Sequence, residues 1–287
     1  MRGGLLVTEI NQLPEVEPVE SIDQSMTGST TNATAKAIKP ECIIEVKDLR
    51  KVYKVGTERV VALNQINLSI FKGEICCILG TSGSGKSTLL NMMAGLEKPT
   101  KGSIEIKGHA IEKMTEKQLA VFRQKYIGFI FQSYNLLTAL TALENVAMPL
   151  IFRGISKSAR EKIAKKYLKM VGLGERIKHK PSQMSGGQQQ RVGIARAFVG
   201  APDIIFADEP TGNLDTKTSI EVMHIMWKMA REKNQTIVIV THDPEVALYA
   251  DKVIHIRDGD IQSIEVRSLD DVYEKYIKPY EENYVQI

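Results

Sequence analysis

The feature that most constrains this chain is Gly80-Thr81-Ser82-Gly83-Ser84-Gly85-Lys86-Ser87-Thr88. It fits G-x-x-x-x-G-K-[ST], a phosphate-binding loop that joins a strand to a helix. The flanks agree. Glu74-Ile75-Cys76-Cys77-Ile78-Leu79 is an apolar run that reads as a buried strand, and Leu89-Leu90-Asn91-Met92-Met93-Ala94 continues as a helix. Glycines let backbone N–H groups converge on phosphate oxygens without Cβ clashes, and the helix start adds partial positive charge. Lys86 is then placed to reach the β- and γ-phosphates, and the Ser87 hydroxyl to ligate Mg²⁺.

Two more apolar runs read as strands: Asp203-Ile204-Ile205-Phe206-Ala207 before Asp208, and Thr236-Ile237-Val238-Ile239-Val240-Thr241 before His242. Strands with no polar face belong to a sheet covered on both sides, hence a parallel α/β fold. Each run delivers a polar group at its carboxyl end, the edge where open α/β sheets bind ligands. Asp208 there is a candidate Mg²⁺ ligand, and Glu209 a candidate general base that polarises the attacking water. Alone, Asp208-Glu209-Pro210 is an acidic turn; beside a phosphate loop on the same edge it reads as chemistry.

Ser185-Gly186-Gly187-Gln188 precedes a helix carrying Val192, Ala195, Phe198 and Val199. Two glycines at a helix start leave several N–H groups free, which makes a second anion site. With that pair of sites the sequence resembles the nucleotide-binding subunit of ATP-binding cassette (ABC) transporters, whose signature is L-S-G-G-Q. Met184 stands in place of the leucine, a mild apolar swap. The resemblance spans residues 41–267.

It implies a P-loop NTPase with a mostly parallel core sheet, an N-terminal antiparallel β subdomain and an inserted α-helical subdomain over about residues 135–200. It implies ATP hydrolysis with Mg²⁺, and it assigns roles. Tyr53 would stack on adenine. Gln132 would touch Mg²⁺ and the membrane subunit. Asp215, in Gly212-Asn213-Leu214-Asp215, would lie on a loop crossing a homodimer interface, and His242 would contact the γ-phosphate. Each ATP would lie between the P-loop of one copy and Ser185-Gly186-Gly187-Gln188 of the other. A lone histidine after a strand, or a tyrosine on one, is otherwise a packing residue.

Phe131-Gln132-Ser133-Tyr134-Asn135-Leu136-Leu137, the later Leu140-Thr141-Ala142-Leu143-Glu144-Asn145-Val146, Val61-Ala62-Leu63 and the Gly212-Asn213-Leu214-Asp215 loop narrow the resemblance. They are similar to the macrolide-exporter, lipoprotein-releasing and cell-division group. That group implies an integral-membrane permease with an FtsX-like domain as partner, and export or mechanical work as output. A regulatory ATPase that signals without transporting is the alternative. Gln132 and the helices after it are expected to form a socket for a short helix of the permease. A DNA-repair ATPase of the same superfamily would carry a coiled coil or zinc modules between P-loop and signature. Lys86 and Ser185 are only 99 positions apart, with neither present, so no nucleic-acid partner is expected.

Composition adds placement. No apolar run approaches membrane-spanning length, no N-terminal h-region is present, and the three cysteines form no C-x-x-C pair. These features point to the cytoplasm, and the resemblance implies the cytoplasmic face of the cell membrane, peripherally. The net charge of +4 hides an asymmetry: residues 1–40 hold three cations against five acids, and residues 268–287 hold two against five. Residues 1–40 are expected to be a disordered acidic extension. Residues 268–287 form a tail whose tyrosines, Tyr273, Tyr276, Tyr280 and Tyr284, dock on the fold or a partner, or simply fray. Ser158-Ala159-Arg160-Glu161 reads as the capping box of a helix with Ile163, Ala164, Tyr167, Leu168 and Val171 inward and Gly172 at its stop. Its outer face, with Arg160, Lys162, Lys165, Lys166 and Lys169, is a solvated surface or one that meets acidic phospholipid or an acidic loop.

Overall fold

The structure, a computed structural model, describes residues 40–284, with side chains to Glu282. The expectation for the N-terminal extension therefore falls outside the described residues as far as Lys39, as does that for the Tyr284 side chain.

Among the described residues, ten strands build two sheets. In the first, β1 (Cys42–Val55), β2 (Glu58–Phe71), β4 (Lys101–Ile106) and β5 (His109–Ala110) pair antiparallel in the order β2-β1-β4-β5. The second holds β3 (Ile75–Leu79), β6 (Ile127–Phe131), β7 (Ile204–Asp208), β8 (Thr236–Thr241), β9 (Lys252–Arg257) and β10 (Asp260–Val266), in the order β10-β9-β3-β8-β7-β6. All its neighbours run parallel except the β9–β10 edge hairpin.

The period-2 geometry of strands explains why β3, β7 and β8 are apolar throughout. Ile75, Cys77, Ile205, Ala207, Ile237 and Ile239 enter the hydrophobic core on one face, and Cys76, Ile78, Ile204, Phe206, Val238 and Val240 the core on the other. The first core is closed by α3 (Ala142–Phe152), α4 (Lys157–Met170), α5 (Gly186–Phe198) and α6 (Thr216–Lys233). The second is closed by the antiparallel sheet with α1 (Lys86–Met93) and α2 (Glu116–Tyr126). Cys76 and Cys77 are free and buried, and burial pushes the Cys77 thiol up to about 12, so it is inert packing.

One local expectation fails. The helix read as starting with a capping box at Ser158 begins at Lys157, with Ser156 as N-cap and no side-chain cap bond. Ser158 instead lies on an exposed face. The stop is as read: Gly172 adopts φ +75° just past the Val171 cap.

After β8 come α7 (Pro244–Ala247), the β9–β10 hairpin, α8 (Leu269–Val272), a π-helical turn over Tyr273–Ile277, and α9 (Lys278–Tyr284). This terminal segment docks. Val272 and Ile277 are buried in the first core, Tyr273 stacks on Trp227, and Tyr280 packs on His224.

Candidate active site

The sheet register lines up the chemistry. Leu79 pairs with Thr241, Asp208 with Val240, and Phe131 with Asp208, so four strand ends deliver the P-loop, Gln132, Asp208-Glu209 and His242 to one edge. They line a cleft of about 900 Å³ together with Ala62, a volume suited to a nucleotide.

Close approach requires the P-loop glycines. A Cβ at Gly80 would sit 2.2 Å from the Ile256 carbonyl oxygen and 2.8 Å from Ser84 Oγ. Gly85, at φ +101°, caps α1, and a Cβ there would lie 2.6 Å from the Ala62 carbonyl oxygen. Lys86 is only 6% exposed, makes no ion pair, and donates from Nζ to the Thr81 carbonyl 2.8 Å away. A buried ammonium without a counterion, beside a helix start, asks for an anion. Ser84 Oγ is likewise buried and unpartnered. The loop therefore fits a polyphosphate. Thr81, Ser82, Gly83 and Thr88 line the same cleft.

Ser87 Oγ lies 3.4 Å from Asp208 Oδ1. Burial, and then the adjacent Glu209 charge, raise the Asp208 carboxyl above its usual range. Ser87, Asp208 and Gln132 all face the cleft. These hard oxygen donors fit a small divalent cation, which would offset the cost of ionising Asp208. Among the described residues no group of three or more His, Cys, Asp or Glu could hold a metal. A cation here would depend on hydroxyl, amide, phosphate and water oxygens as well.

Glu209 adopts φ +45°, a conformation uncommon for a residue with a Cβ. It is held there by its N–H to the Val240 carbonyl at 3.0 Å, while Thr241 Oγ1 donates to Oε2 at 2.9 Å. His242 Nδ1 lies 2.9 Å from Oε1. The carboxylate is therefore oriented from both oxygens. Thr241 was not singled out from sequence; its place as the last polar residue of an apolar strand, facing the acid on the next strand, is the signal that could have found it.

Gln132 begins a constrained loop. Its side chain packs on Gly212, where a Cβ would come within 2.7 Å of Nε2, and its carbonyl accepts a 2.9 Å bond from Asn213 Nδ2. Tyr134 (φ +59°) and Asn135 (φ +48°) follow in left-handed conformation, and Arg196 donates to both carbonyls. Asn213 is marked in the sequence only as part of the Gly212–Asp215 loop, and nothing in the sequence marks Arg196 or either bond.

Three expected site elements are not part of the cleft lining. Ser185 is the N-cap of α5 in a reciprocal capping box with Gln188, and Gly186 and Gly187 occupy its first turn against Tyr134 and Thr218. Asp215 caps α6, accepting 2.7 Å from Thr218 Oγ1, and these bonds hold its carboxyl below the ordinary range. Tyr53 pairs with Val60 across β1 and β2, and its hydroxyl donates 2.7 Å to Glu97 Oε2.

A family model described as ABC transporter matches residues 63–212. An uncharacterized ABC transporter ATP-binding protein of Methanocaldococcus jannaschii is 53% identical over 222 residues, 77% of this chain and 99% of that protein. The macrolide export ATP-binding/permease protein MacB of Hahella chejuensis is 46% identical over 221 residues, 77% of this chain but 34% of MacB. The ATP-binding cassette MJ0796, another Methanocaldococcus jannaschii protein, superposes with a TM-score of 0.74 at 43% identity, covering 79% of this chain and 99% of that one; it is a dimer in a post-hydrolysis state bound to ADP and Pi. The chain thus belongs to the ATP-binding cassette family, as the ATP-binding, ATP-hydrolysing subunit of an ABC transporter.

Proposed function

We propose that two copies of this chain close head to tail around two ATP molecules, and that hydrolysis, by letting them part, drives a separate membrane permease. One observation carries the reading. The cleft holds the P-loop and the Glu209–His242 pair, while the glycine-rich start of α5, Ser185–Gln188, lies outside its lining. A second copy would bring that anion-binding helix start to the open side of the nucleotide. Asp215 and the Gly212–Asp215 loop would then lie between the copies. The dimeric, product-bound state of MJ0796 supports this arrangement.

Within the site, Lys86 and the loop N–H groups hold the phosphates. Ser87 and Asp208, with Gln132, would hold Mg²⁺, which supplies charge neutralisation at the phosphates. Glu209, oriented by Thr241 and His242, accepts a proton from the water that attacks the γ-phosphorus as the bond to the β–γ bridging oxygen breaks. ADP and phosphate are the products.

Among the described residues no helix is long and apolar enough to cross a membrane, so force would pass to the bilayer through another chain. An apolar groove lined by Val121, Met148, Pro149 and Phe152 lies between α2 and α3, with Phe152 68% exposed. It suits a short cytoplasmic helix of the permease. The likeness to MacB favours export of a macrolide-type substrate; a permease with an FtsX-like domain, and lipoprotein, peptide or antimicrobial substrates, rest on the sequence resemblance.

Glu209→Gln tests the reading. Removing the base lowers phosphate release by at least ~100-fold, and with ATP and Mg²⁺ the variant elutes as a dimer on size exclusion. Turnover at the parent rate, or a monomer under those conditions, rejects the assignment.

A further inference from the structure

Helix α4 carries a surface that nucleotide chemistry does not use. Lys162, Lys165, Lys166 and Lys169 follow the i, i+3, i+4, i+7 rule and share one exposed face, opposite the buried Ala164, Tyr167 and Leu168. Lys157, also exposed, lies at the start of the helix. Among the described residues, no side chain of these five makes a hydrogen bond or ion pair. The one acid in the helix is Glu161. Lys162–Lys166 and Lys165–Lys169 are like-charge pairs one turn apart, each mildly destabilising to a free helix. An anionic surface would reverse that sign. Near the start of α4, Lys157, Lys162 and Lys165 border a shallow hollow with Ser158 and Glu161, three cations against one acid.

In the chain the ridge follows the proposed permease groove, whose Phe152 ends α3 five residues before Lys157. Helices α3 and α4 form an antiparallel hairpin, so Ile151 and Phe152, both exposed, end one helix where Lys157 begins the next. Apolar side chains beside unpaired lysines are the composition of a surface that meets a bilayer at headgroup level.

We propose that the lysine face of α4 binds anionic phospholipid headgroups of the bilayer surrounding the permease. The inference rests on the membrane-subunit reading above and adds a direct lipid contact to it. Clusters of four to eight basic residues on a helix bind anionic lipid with about fivefold affinity per residue, equivalent to ~1 kcal/mol each.

The test is flotation of the full chain with phosphatidylglycerol-containing vesicles and with phosphatidylcholine vesicles. The parent is expected to float with the anionic vesicles at ~0.1 M salt, and not with neutral ones. At ~1 M salt, where the screening length falls to about 3 Å, binding is lost. The triple variant K162Q/K165Q/K166Q is expected to lose about 100-fold in vesicle affinity while keeping its ATPase rate. The charge-matched control K101Q/K228Q/K233Q, at exposed lysines elsewhere, stays within about threefold of the parent. Equal loss in both triples, or no flotation of the parent, overturns the lipid contact. Parallel co-purification with the permease in detergent separates the two readings. If K162Q/K165Q/K166Q fails to co-purify where the parent succeeds, the ridge meets an acidic protein surface and the lipid proposal falls. If neither form co-purifies with any permease, the membrane-subunit reading itself fails, whatever the vesicles show.

Discussion

At the scale of single residues, the site is a set of groups that cannot relax. Glu209 keeps a left-handed backbone because Val240, Thr241 and His242 hold it from three directions. Thr241 is fully buried, and its hydroxyl also accepts the Asp243 N–H at 3.1 Å. Thr241→Val keeps the shape and removes only the hydroxyl, leaving one carboxylate oxygen and one N–H without a partner. We expect kcat to fall roughly tenfold while KM for ATP stays within about twofold, because no phosphate contact changes. Steady-state phosphate release over an ATP series checks it; a change confined to KM would place Thr241 in binding instead. Lys86, Ser87, Asp208 and Glu209 stand out in the sequence by motif and strand-end position, and His242 by the family resemblance; the fold brings all five to one cleft. Thr241, Asn213 and Arg196 act by orienting another group, and an orienting role exists only once strands and loops are folded beside one another.

At the scale of elements, strands were more legible than helix starts. The apolar runs of β3, β7 and β8 admit no other packing than a sheet covered on both faces, so their ends fall within a residue of expectation. The start of α4 is set without any side-chain cap bond, so a capping pattern in the sequence does not mark it, and the Ser158 pattern places the cap two residues late. The loop from Gln132 into α3 was the least legible, because its support is a buried side chain from the helix that follows. Asn145 donates to the carbonyls of Leu137, Leu140 and Thr141 and accepts from the Leu137 N–H, while Thr141 and Glu144 form the capping box of α3. Asn145→Ala leaves those groups without partners inside the fold. The expected cost is about 2–3 kcal/mol, read as a lower urea midpoint with an unchanged m-value. An unshifted midpoint would mean that the loop finds other partners, and that it is not held by Asn145.

At the scale of the whole molecule, the terminal segment is where sequence left the outcome open and structure decides it. Nothing in the spacing of Tyr273, Tyr276 and Tyr280 distinguishes a docked tail from a frayed one; the deciding surface is on α6, some fifty residues earlier in the chain. There His224 lies 4.4 Å from the Tyr280 ring centroid, and its Nε2 is 3.5 Å from Glu281 Oε1. Its Nδ1 is buried without a partner. Burial lowers the His224 pKa, aided by Lys228 and opposed by Glu281. The sign follows from linkage. Released from the tail, His224 loses that burial and its pKa rises back toward the ordinary value of about 6.5; docked, it binds its proton less readily. Docking is therefore fully favoured above about pH 6.5 and weakens as pH falls from there toward the depressed docked value. Trp227, the single tryptophan of the chain, stacks on Tyr273 with centroids 6.0 Å apart and reports the contact directly. Lowering pH from about 7.5 to 5.5 should shift its emission and deprotect residues 269–284 in hydrogen exchange, with the core sheet unchanged. His224→Phe keeps an aromatic ring against Tyr280 but cannot take up the proton. Its tryptophan emission should stay flat across the same range, and a variant that titrates like the parent would assign the transition to another group.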